Sequence, residues 1–476
     1  MHPLTTSAVG LDHAMAVASD ALHRVPAYGT HARECGYTHS GAITPAEFVA
    51  LPVTTKKGYL RRHEIPQLMW DGDIARADTW SSTSGSTGQP TFFPRDPAAI
   101  NDAIHFYGQI FDDCFEVGER SVLLVVCFAM GTWIGGTYSH QAGDGLHRRG
   151  YRVSVTTPGI DVAAAATNIK ELGPQYEKVV VAGYPPLVKD VLDQMADAAL
   201  AQDISILLAG EGVTEEWRDH LLERIGRSDR PERVCLIYGT AEVGVMGHES
   251  PVTVSVRRAA RADLALRAEL FPQATTLPTF VEVDPARRYA EVDGEGYLLF
   301  TIDGALPLIR YRINDKGDVL TGARLRQILV AHGHDGLADR VDPEGCFVVL
   351  TGRPDVSTTF YSSNIYPSQL APAFDSPAVA RLVTGRFRAD GSPGGDHRPV
   401  LRVAVELAAG VHTAPPGLVD DLTVLCQNTL LRTNDEYRAL HAQRGADRTA
   451  PRVTLHPHGT GLFRVGPKHK YTGEVK

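Results

Sequence analysis

A run of glycine and hydroxyl-bearing residues between positions 81 and 91 has the composition of an anion-binding loop. Gly85 and Gly88 allow the backbone to turn tightly and expose consecutive N–H groups, and the surrounding serine and threonine side chains add hydroxyl donors. Donors of both kinds suit the oxygens of a polyphosphate. The residues predicted to contact phosphate are Ser84, Gly85, Ser86, Thr87 and Gly88.

The loop differs from the usual P-loop, which carries a Lys-Ser or Lys-Thr pair after its last glycine and continues into a helix. Here Gln89 and Pro90 follow the last glycine and lead toward an extended segment. A flexible Ser/Gly linker is the alternative interpretation. Because strand-like segments flank the loop on both sides, at residues 76–80 and 91–94, phosphate binding is the favoured interpretation.

Further side chains with suitable chemistry follow apolar segments. Glu211 follows residues 206–209, Tyr238 begins the run Tyr-Gly-Thr-Ala-Glu that ends at Glu242, and Asp315 follows an arginine-rich stretch. An aromatic ring can stack on a nucleobase, one carboxylate suffices for Mg²⁺ bound to phosphates, and another can bond ribose hydroxyls. Each signal alone is weak, since a lone tyrosine is also typical of a strand end. Together with the loop they predict a nucleotide-binding site.

Alternating strand-like and helix-like segments predict the elements that position these residues. The predicted strands are residues 122–128, 151–156, 178–182, 204–209 and 234–238. The predicted helices are residues 96–114, 161–172, 186–200 and 214–225. This alternation indicates a largely parallel sheet with helices on both faces, in which ligands lie beyond the carboxyl ends of the strands.

The remaining chain has a different pattern. From about residue 252 strands and hairpins are predicted, and a second change comes near residues 351–355. Beyond it, the predicted elements are strands at 401–407 and 452–455 and a helix at 419–440. The predicted fold class is α/β: a large domain at 1–352, with a mostly parallel helix-covered sheet and a β-rich subdomain, and a small mobile α+β domain at 353–476.

The composition excludes several classes of partner. The chain has 476 residues, and 47 basic against 56 acidic residues give a net charge of −9. Since no block of lysine and arginine interrupts this balance, neither nucleic acid nor a membrane surface is predicted as a partner. Six dispersed cysteines without a Cys-x-x-Cys pair predict buried thiols in a reducing compartment, and a cytoplasmic location is expected. None of these patterns indicates the oligomeric state.

In these motifs the chain resembles the adenylate-forming superfamily of acyl-CoA ligases and adenylation domains, and most closely its phenylacetate-CoA ligase branch. The similarity extends over nearly the whole chain, at residues 83–91, 131–136, 209–211, 238–242, 309–315, 352–355 and 364–367. The resemblance implies an AMP-forming acid ligase that uses ATP, Mg²⁺ and coenzyme A. In this reaction a carboxylate attacks the α-phosphate of ATP, pyrophosphate leaves, and the acyl-adenylate passes its acyl group to a thiol.

The resemblance also implies a role for each matching residue. Residues 84–88 would hold the β- and γ-phosphates, Glu242 would bind Mg²⁺, and Tyr238 would stack on adenine. The other implied ATP-binding residues, around the adenine, phosphates and ribose, are Gly210, Glu211, Gly239, Thr240, Asp315 and Arg353. The implied residues of the substrate region and hinge are Trp133, Gly135, Tyr184, Asn364 and, as the hinge itself, Asp355.

A segment near the C-terminus, residues 462–468, aligns with the family's catalytic-lysine segment and implies Lys468 as the catalytic residue. An ammonium group suits this role, because it can bridge the attacking carboxylate and the α-phosphate and counter the charge of the transition state. Lys470 is an alternative for the same role. Both lysines are also compatible with a solvated tail.

Three positions depart from the family pattern. Ala241 stands where threonine or serine is usual, Ser362 where a glycine lines the pantetheine path, and Pro467 where a glycine precedes the lysine. The leading hypothesis is activation of a small aromatic carboxylic acid and its transfer to coenzyme A. The departures keep open transfer to an amine, a carrier-protein thiol or another small nucleophile, and also a nucleotide-binding homologue without catalysis.

Overall fold

The computed structural model describes residues 8–38, 41–82, 91–272, 274, 276–352, 357–361, 363–391, 399–464, 469–473 and 475. The first elements are α1 (Ala8–Arg24), α2 (Pro26–Glu34), α3 (Pro45–Ala50), β1 (Thr54–Thr55) and α4 (Ile65–Leu68). Helix α3 begins at a capping box, in which the Thr44 hydroxyl accepts the Glu47 N–H and the Glu47 carboxylate accepts the Thr44 N–H. This segment leads directly into the short strand β1.

A hairpin brackets the glycine-rich run. Strands β2 (Thr79–Ser82) and β3 (Phe92–Arg95) pair antiparallel, with Ser82 opposite Phe92. The extended segments predicted on both sides of the run are therefore present, displaced by a few residues. Helix α5 (Pro97–Gln109) follows, capped by the Asp96 side chain, and residues 110–114 continue it as a π-helical turn.

The predicted parallel sheet is confirmed. Its strands are β4 (Val122–Cys127), β5 (Val153–Thr156), β6 (Lys178–Gly183), β7 (Ile204–Ala209) and β8 (Val234–Thr240), in the order β5-β4-β6-β7-β8, with each neighbouring pair parallel. The helices between them are α6 (Ile134–Arg148), α7 (Val162–Leu172), α8 (Pro185–Asp193), α9 (Asp197–Leu200) and α10 (Glu215–Arg224). All six residues of β4 are buried, as expected for a strand with helices on both faces.

The next part of the chain extends the same sheet with antiparallel strands. Its elements are β9 (Gly244–His248), α11 (Pro251–Ala262), α12 (Leu264–Leu270), β10 (Thr279–Val283), β11 (Tyr289–Val292), β12 (Tyr297–Ile302), β13 (Leu308–Thr321), α13 (Gly322–Ala331), α14 (Asp335–Ala338) and β14 (Cys346–Gly352). The order continues from β8 as β9-β10-β14-β13-β12-β11, and β1 pairs with β13, so the described residues form one 12-stranded sheet.

One expectation for this part was wrong. Strands were expected from about residue 252, but residues 251–262 form a helix, because Ser250 and Thr253 make a capping box and Pro251 takes the first helical position. The strands that were expected here begin only at Thr279.

The C-terminal residues form a smaller unit with its own hydrophobic core, hereafter the small part. Its elements are β15 (Thr358–Phe360), β16 (Ser363–Ile365), α15 (Pro367–Leu370), β17 (Val383–Asp390), β18 (Arg402–Leu407), α16 (Leu418–Thr433), α17 (Asp435–Arg444), α18 (Ala446–Thr449) and β19 (Arg452–His456). Strands β17, β18 and β19 form a sheet in that order. The single helix expected at 419–440 is broken at Asn434, whose side chain caps the second helix at Tyr437.

The structure bears on two expectations drawn from the composition. Five of the six cysteines are buried, as expected, but Cys35 is exposed and corrects the expectation for that residue. Within the described ranges, no helix combines the length and apolarity needed to cross a membrane.

Candidate active site

The candidate site begins at the carboxyl end of β7, where Gly210 and Glu211 follow the strand. Gly210 has a φ of +102°, in the region that favours glycine, and a Cβ there would lie 3.3 Å from the ring of Tyr184. Glycine is therefore required both for the turn and for the close approach of this ring. The turn brings the Glu211 carboxylate beside the residue that precedes α8.

Two phenols donate hydrogen bonds to Glu211. The Tyr184 hydroxyl donates to Oε1, and the Tyr471 hydroxyl, from the small part, donates to Oε2 at 2.6 Å. Burial and the adjacent carboxylate raise the pKa of both tyrosines well above its ordinary value, so both remain donors. Sequence reasoning predicted Glu211 and Tyr184 but missed Tyr471, whose only signal was its position next to Lys470.

The structure brings together a second predicted pair at the end of the neighbouring strand. The Tyr238 hydroxyl, on β8, donates to Asp315 Oδ2, on β13, at 2.6 Å. The Tyr238 ring contacts Phe300 edge to face. Tyr238 and Asp315 are both buried, with exposures of 8% and 4%. Asp315 follows Asn314, which has a φ of +66°. The residues that the resemblance implies for base stacking and ribose binding therefore lie within hydrogen-bond distance of each other.

A tight turn after β8 leads to Glu242. A Cβ on Gly239 would lie only 2.7 Å from the carbonyl oxygen of Gly244, so this close approach requires glycine. The Thr240 hydroxyl accepts the N–H of Val243 at 3.3 Å and closes the turn. The turn carries the Glu242 carboxylate, whose side chain is largely buried.

An ion pair joins Glu242 to Lys56, with 3.0 Å between Nζ and Oε1. Lys56 follows β1, which is held beside β13 by the Thr54 hydroxyl donating to the Ile309 carbonyl at 2.8 Å. Lys56 also lies over the Phe93 ring. Sequence reasoning did not identify it, because the pairing of β1 with β13 joins segments that are more than 250 residues apart.

Glu242 has the chemistry expected of a Mg²⁺ ligand. Its side chain is 12% exposed, so an ion could reach it. Among the described residues no group of three His, Cys, Asp or Glu side chains could hold a metal ion alone. A single carboxylate fits Mg²⁺ where phosphate oxygens and water supply the other ligands.

Arg95 connects the glycine-rich hairpin to the Glu242 turn. It donates to the carbonyls of Ala241 and Glu242 and, at 3.1 Å, to the Ser81 hydroxyl. The residue is 5% exposed, and burial lowers the pKa of its guanidinium. Arg95 was also missed from the sequence, since nothing local distinguishes it from a surface arginine at the end of a strand.

The predicted substrate region follows β4. Trp133 is the half-buried residue that precedes α6, and a Cβ on Gly135 would lie 3.0 Å from the ring of Phe128. The Ser82 N–H and hydroxyl bond Thr132, at 2.9 and 3.0 Å, which joins this segment to the hairpin. The glycine-rich segment is thus held beside the end of β2.

Several predicted residues remain to be placed. Asn364 is exposed in β16, and its hydrogen-bond partners Thr359, Glu436 and Asn434 all belong to the small part. Lys470 is exposed. The residues that lie outside the described ranges are Ser84, Gly85, Ser86, Thr87, Gly88, Arg353, Asp355 and Lys468. Their roles stay predictions.

Solved structures of a CoA ligase and of an acyl acid amido synthetase share the fold of this chain. A 2-hydroxyisobutyryl-CoA ligase in its postadenylation state, with 2-HIB-AMP, has a TM-score of 0.68 at 15% identity over 99% of this chain and 91% of its own. The same ligase in its thioesterification state has a TM-score of 0.53 at 16% identity, over 97% and 88%.

An acyl acid amido synthetase, AtGH3.15, in complex with 2,4-DB has a TM-score of 0.57 at 12% identity, over 94% of this chain and 88% of its own. No protein-family model and no curated protein sequence matches this chain. The chain has the fold of the adenylate-forming superfamily.

Proposed function

We propose that this protein is an AMP-forming acid ligase of the phenylacetate-CoA ligase type. It activates a small, aromatic carboxylic acid with ATP and Mg²⁺, releases pyrophosphate, and transfers the acyl group to coenzyme A. The observation that carries the proposal is that Glu211 and Glu242 follow the carboxyl ends of the neighbouring strands β7 and β8, while Tyr238 on β8 hydrogen-bonds Asp315 on β13 of the same sheet. Ligands of open α/β sheets bind at such edges.

The residues divide the binding of ATP among them. Gly210 and Glu211 border the adenine, the Tyr238 ring stacks on it, and Asp315 accepts hydrogen bonds from the ribose hydroxyls. Residues 84–88 bind the β- and γ-phosphates through N–H and hydroxyl donors. Mg²⁺, held by Glu242, neutralises phosphate charge when bound.

The chemical step needs little from the protein beyond position and charge. An oxygen of the substrate carboxylate attacks the α-phosphorus, the bond from that phosphorus to the bridging oxygen breaks, and the electron pair leaves with pyrophosphate. Lys468, with Lys470 as the alternative, neutralises charge between the carboxylate and the α-phosphate. The acyl-adenylate is then attacked by the coenzyme A thiol, and AMP leaves.

The first test is exchange of labelled pyrophosphate into ATP, assayed with a panel of aryl and arylacetic acids. We expect exchange that depends on the acid, together with a coenzyme A thioester detectable by mass. Absence of exchange with every acid would overturn the proposal. Loss of exchange in Lys468→Ala, but not in Lys470→Ala, would assign the catalytic lysine and exclude a homologue without catalysis.

A second candidate keeps the adenylation but changes the acceptor. It is favoured by the similarity to an acyl acid amido synthetase and by Ser362, which replaces the glycine of the pantetheine path. The acceptor would then be an amine, a carrier-protein thiol or another small nucleophile. Pyrophosphate release stimulated by an amine panel but not by coenzyme A would support this candidate, and the reverse would exclude it.

A further inference from the structure

Tyr471 belongs to the small part through its backbone. Its carbonyl accepts the N–H of Ala389 at 2.8 Å, and the Gly473 N–H donates to the Ala389 carbonyl at 3.2 Å. The segment therefore forms a parallel bridge with β17, between Ala389 and Thr472. Any movement of the small part carries Tyr471 with it.

The ring of Tyr471 is also held by the small part. It packs against Phe387 and His469, with ring centroids 4.9 and 4.7 Å away. His469 hydrogen-bonds the Phe387 carbonyl at 2.7 Å, and burial lowers its pKa to about 4, so the ring is neutral at physiological pH. These contacts fix the direction in which the Tyr471 hydroxyl points.

That hydroxyl reaches the opposite side of the interface. It donates to Glu211 at 2.6 Å. Tyr184, from the large part, which is formed by the described residues up to Gly352, donates to the other oxygen of the same carboxylate. The two hydroxyl oxygens are 3.4 Å apart. One carboxylate at the end of β7 thus receives one phenol from each part of the molecule.

We propose that Tyr471 is a positioning residue for the adenylation half-reaction. Its hydrogen bond to Glu211 holds the segment that carries Lys470 and Tyr471 against the nucleotide site and is broken when the small part moves for acyl transfer. This inference rests on the proposed function. Lys470 is adjacent and Lys468 is three residues away, a distance of at most about 11 Å along the chain, so fixing Tyr471 restricts both lysines.

The comparison of states supports this assignment. The TM-score to the 2-hydroxyisobutyryl-CoA ligase is 0.68 in the postadenylation state and 0.53 in the thioesterification state. The arrangement in which Tyr471 meets Glu211 is therefore the one nearer to the state that follows adenylate formation.

The test variant is Tyr471→Phe, which keeps the ring packing and removes only the donor. A hydrogen bond to a charged group predicts a loss of roughly tenfold to 100-fold in pyrophosphate exchange. Acyl transfer from purified acyl-adenylate should stay within about twofold of wild type. The matched control is Tyr437→Phe, which removes a buried hydroxyl bonded to the Thr449 carbonyl, entirely inside the small part.

A measurement independent of activity separates this inference from the proposed function. Fluorescent labels on exposed Cys35, in the large part, and on Ala442→Cys, on exposed α17, report the separation of the two parts. Tyr471→Phe should lower the population with the short distance, and Tyr437→Phe should not. If wild type shows no exchange, the proposed function fails and the label experiment still decides the contact.

Two outcomes overturn the inference while leaving the proposed function intact. In the first, Tyr471→Phe matches wild type in both pyrophosphate exchange and label distance. In the second, the variant loses both half-reactions equally, which is what a general loss of folding of the small part would produce.

Discussion

The carboxylate of Glu242 has an ammonium neighbour, Lys56, 3.0 Å away. A metal ion bound at Glu242 would compete with this ammonium group for the same carboxylate oxygen. Since the Lys56 side chain is 28% exposed, the ion pair adds little to the free energy of unfolding. Its main effect is to place a positive charge beside the Glu242 carboxylate. Glu242 is therefore the residue at which metal dependence should be tested.

We expect Glu242→Gln to lower pyrophosphate exchange on the order of 100-fold, because the metal ion that we propose it holds would contribute several kcal/mol to transition-state stabilisation. The dependence of the residual rate on Mg²⁺ concentration should also shift to higher concentrations. Glu223→Gln, at an exposed position on α10, is the matched control. Unchanged rate and Mg²⁺ dependence in Glu242→Gln would remove Glu242 from the metal site.

The sequence was informative about residues whose signal is local. Glu211, Tyr238 and Asp315 belong to recognisable motifs in chain order, and the structure places Tyr238 and Asp315 within hydrogen-bond distance of each other. Lys56 and Tyr471 carried no such signal. They reach the site only because β1 pairs with β13 and because the tail pairs with β17, and such long-range pairing has no local pattern.

At the scale of elements, the hairpin of β2 and β3 is fixed to the Glu242 turn by one buried guanidinium. Among the described residues no carboxylate lies within ion-pair distance of Arg95, which donates hydrogen bonds to two carbonyls and a hydroxyl. A buried charge without an acidic partner is costly, and a hydrophobic residue of similar size is often tolerated in its place. We therefore expect Arg95 to hold the Glu242 turn in position and to add little to the free energy of unfolding.

Arg95→Met tests this difference between stability and position. We expect the free energy of unfolding to change by less than about 1 kcal/mol, since the lost hydrogen bonds are offset by the removed desolvation cost. Pyrophosphate exchange should fall by about tenfold, because the Glu242 turn is no longer held against the hairpin. A variant that is strongly destabilised, or fully active, would contradict this account of Arg95.

Element boundaries were predictable where apolar patterning determined them, but two boundaries that depend on capping side chains were not. Strand Ile204–Ala209 was predicted to the residue because its apolar run is bounded on both sides. The start of the helix at Pro251 and the break at Asn434 depend on single side chains that cap the backbone, and they were missed. A capping residue changes the local structure without changing the apolar pattern around it.

At the scale of the whole molecule, polar contacts beside Tyr471 hold the small part to the large part. Asp375 accepts a hydrogen bond from Thr214 at 2.6 Å, and Arg386 contacts Asp190 at 2.5 Å. His458 lies 3.4 Å from the same Asp190. These contacts must break together with the Tyr471 bond if the small part moves as proposed.

Two of these groups make the contact between the parts depend on pH. Burial raises the pKa of Asp375 to about 7 from 3.8, against the opposing effect of Thr214, with Glu216 and Lys189 as the nearby charges. The hydrogen bond to Asp190 raises the pKa of His458 above 6.5, with Glu406 and Arg386 also facing it. In both cases the docked state binds the proton more tightly than the separated state does.

We therefore expect the docked population, measured with the Cys35 and Ala442→Cys labels, to fall as pH rises. Asp375 contributes to this fall between about pH 4 and 7, where the separated small part has lost the proton that the docked one retains. His458 contributes to the fall above pH 6.5. One linked proton changes the docking equilibrium by up to about tenfold per pH unit. Asp375→Asn should flatten the dependence below pH 7, whereas the exposed control Asp420→Asn should not. A docked population that rises with pH would show that the two groups prefer the separated state when protonated, and the assignment of both contacts to the interface would be wrong.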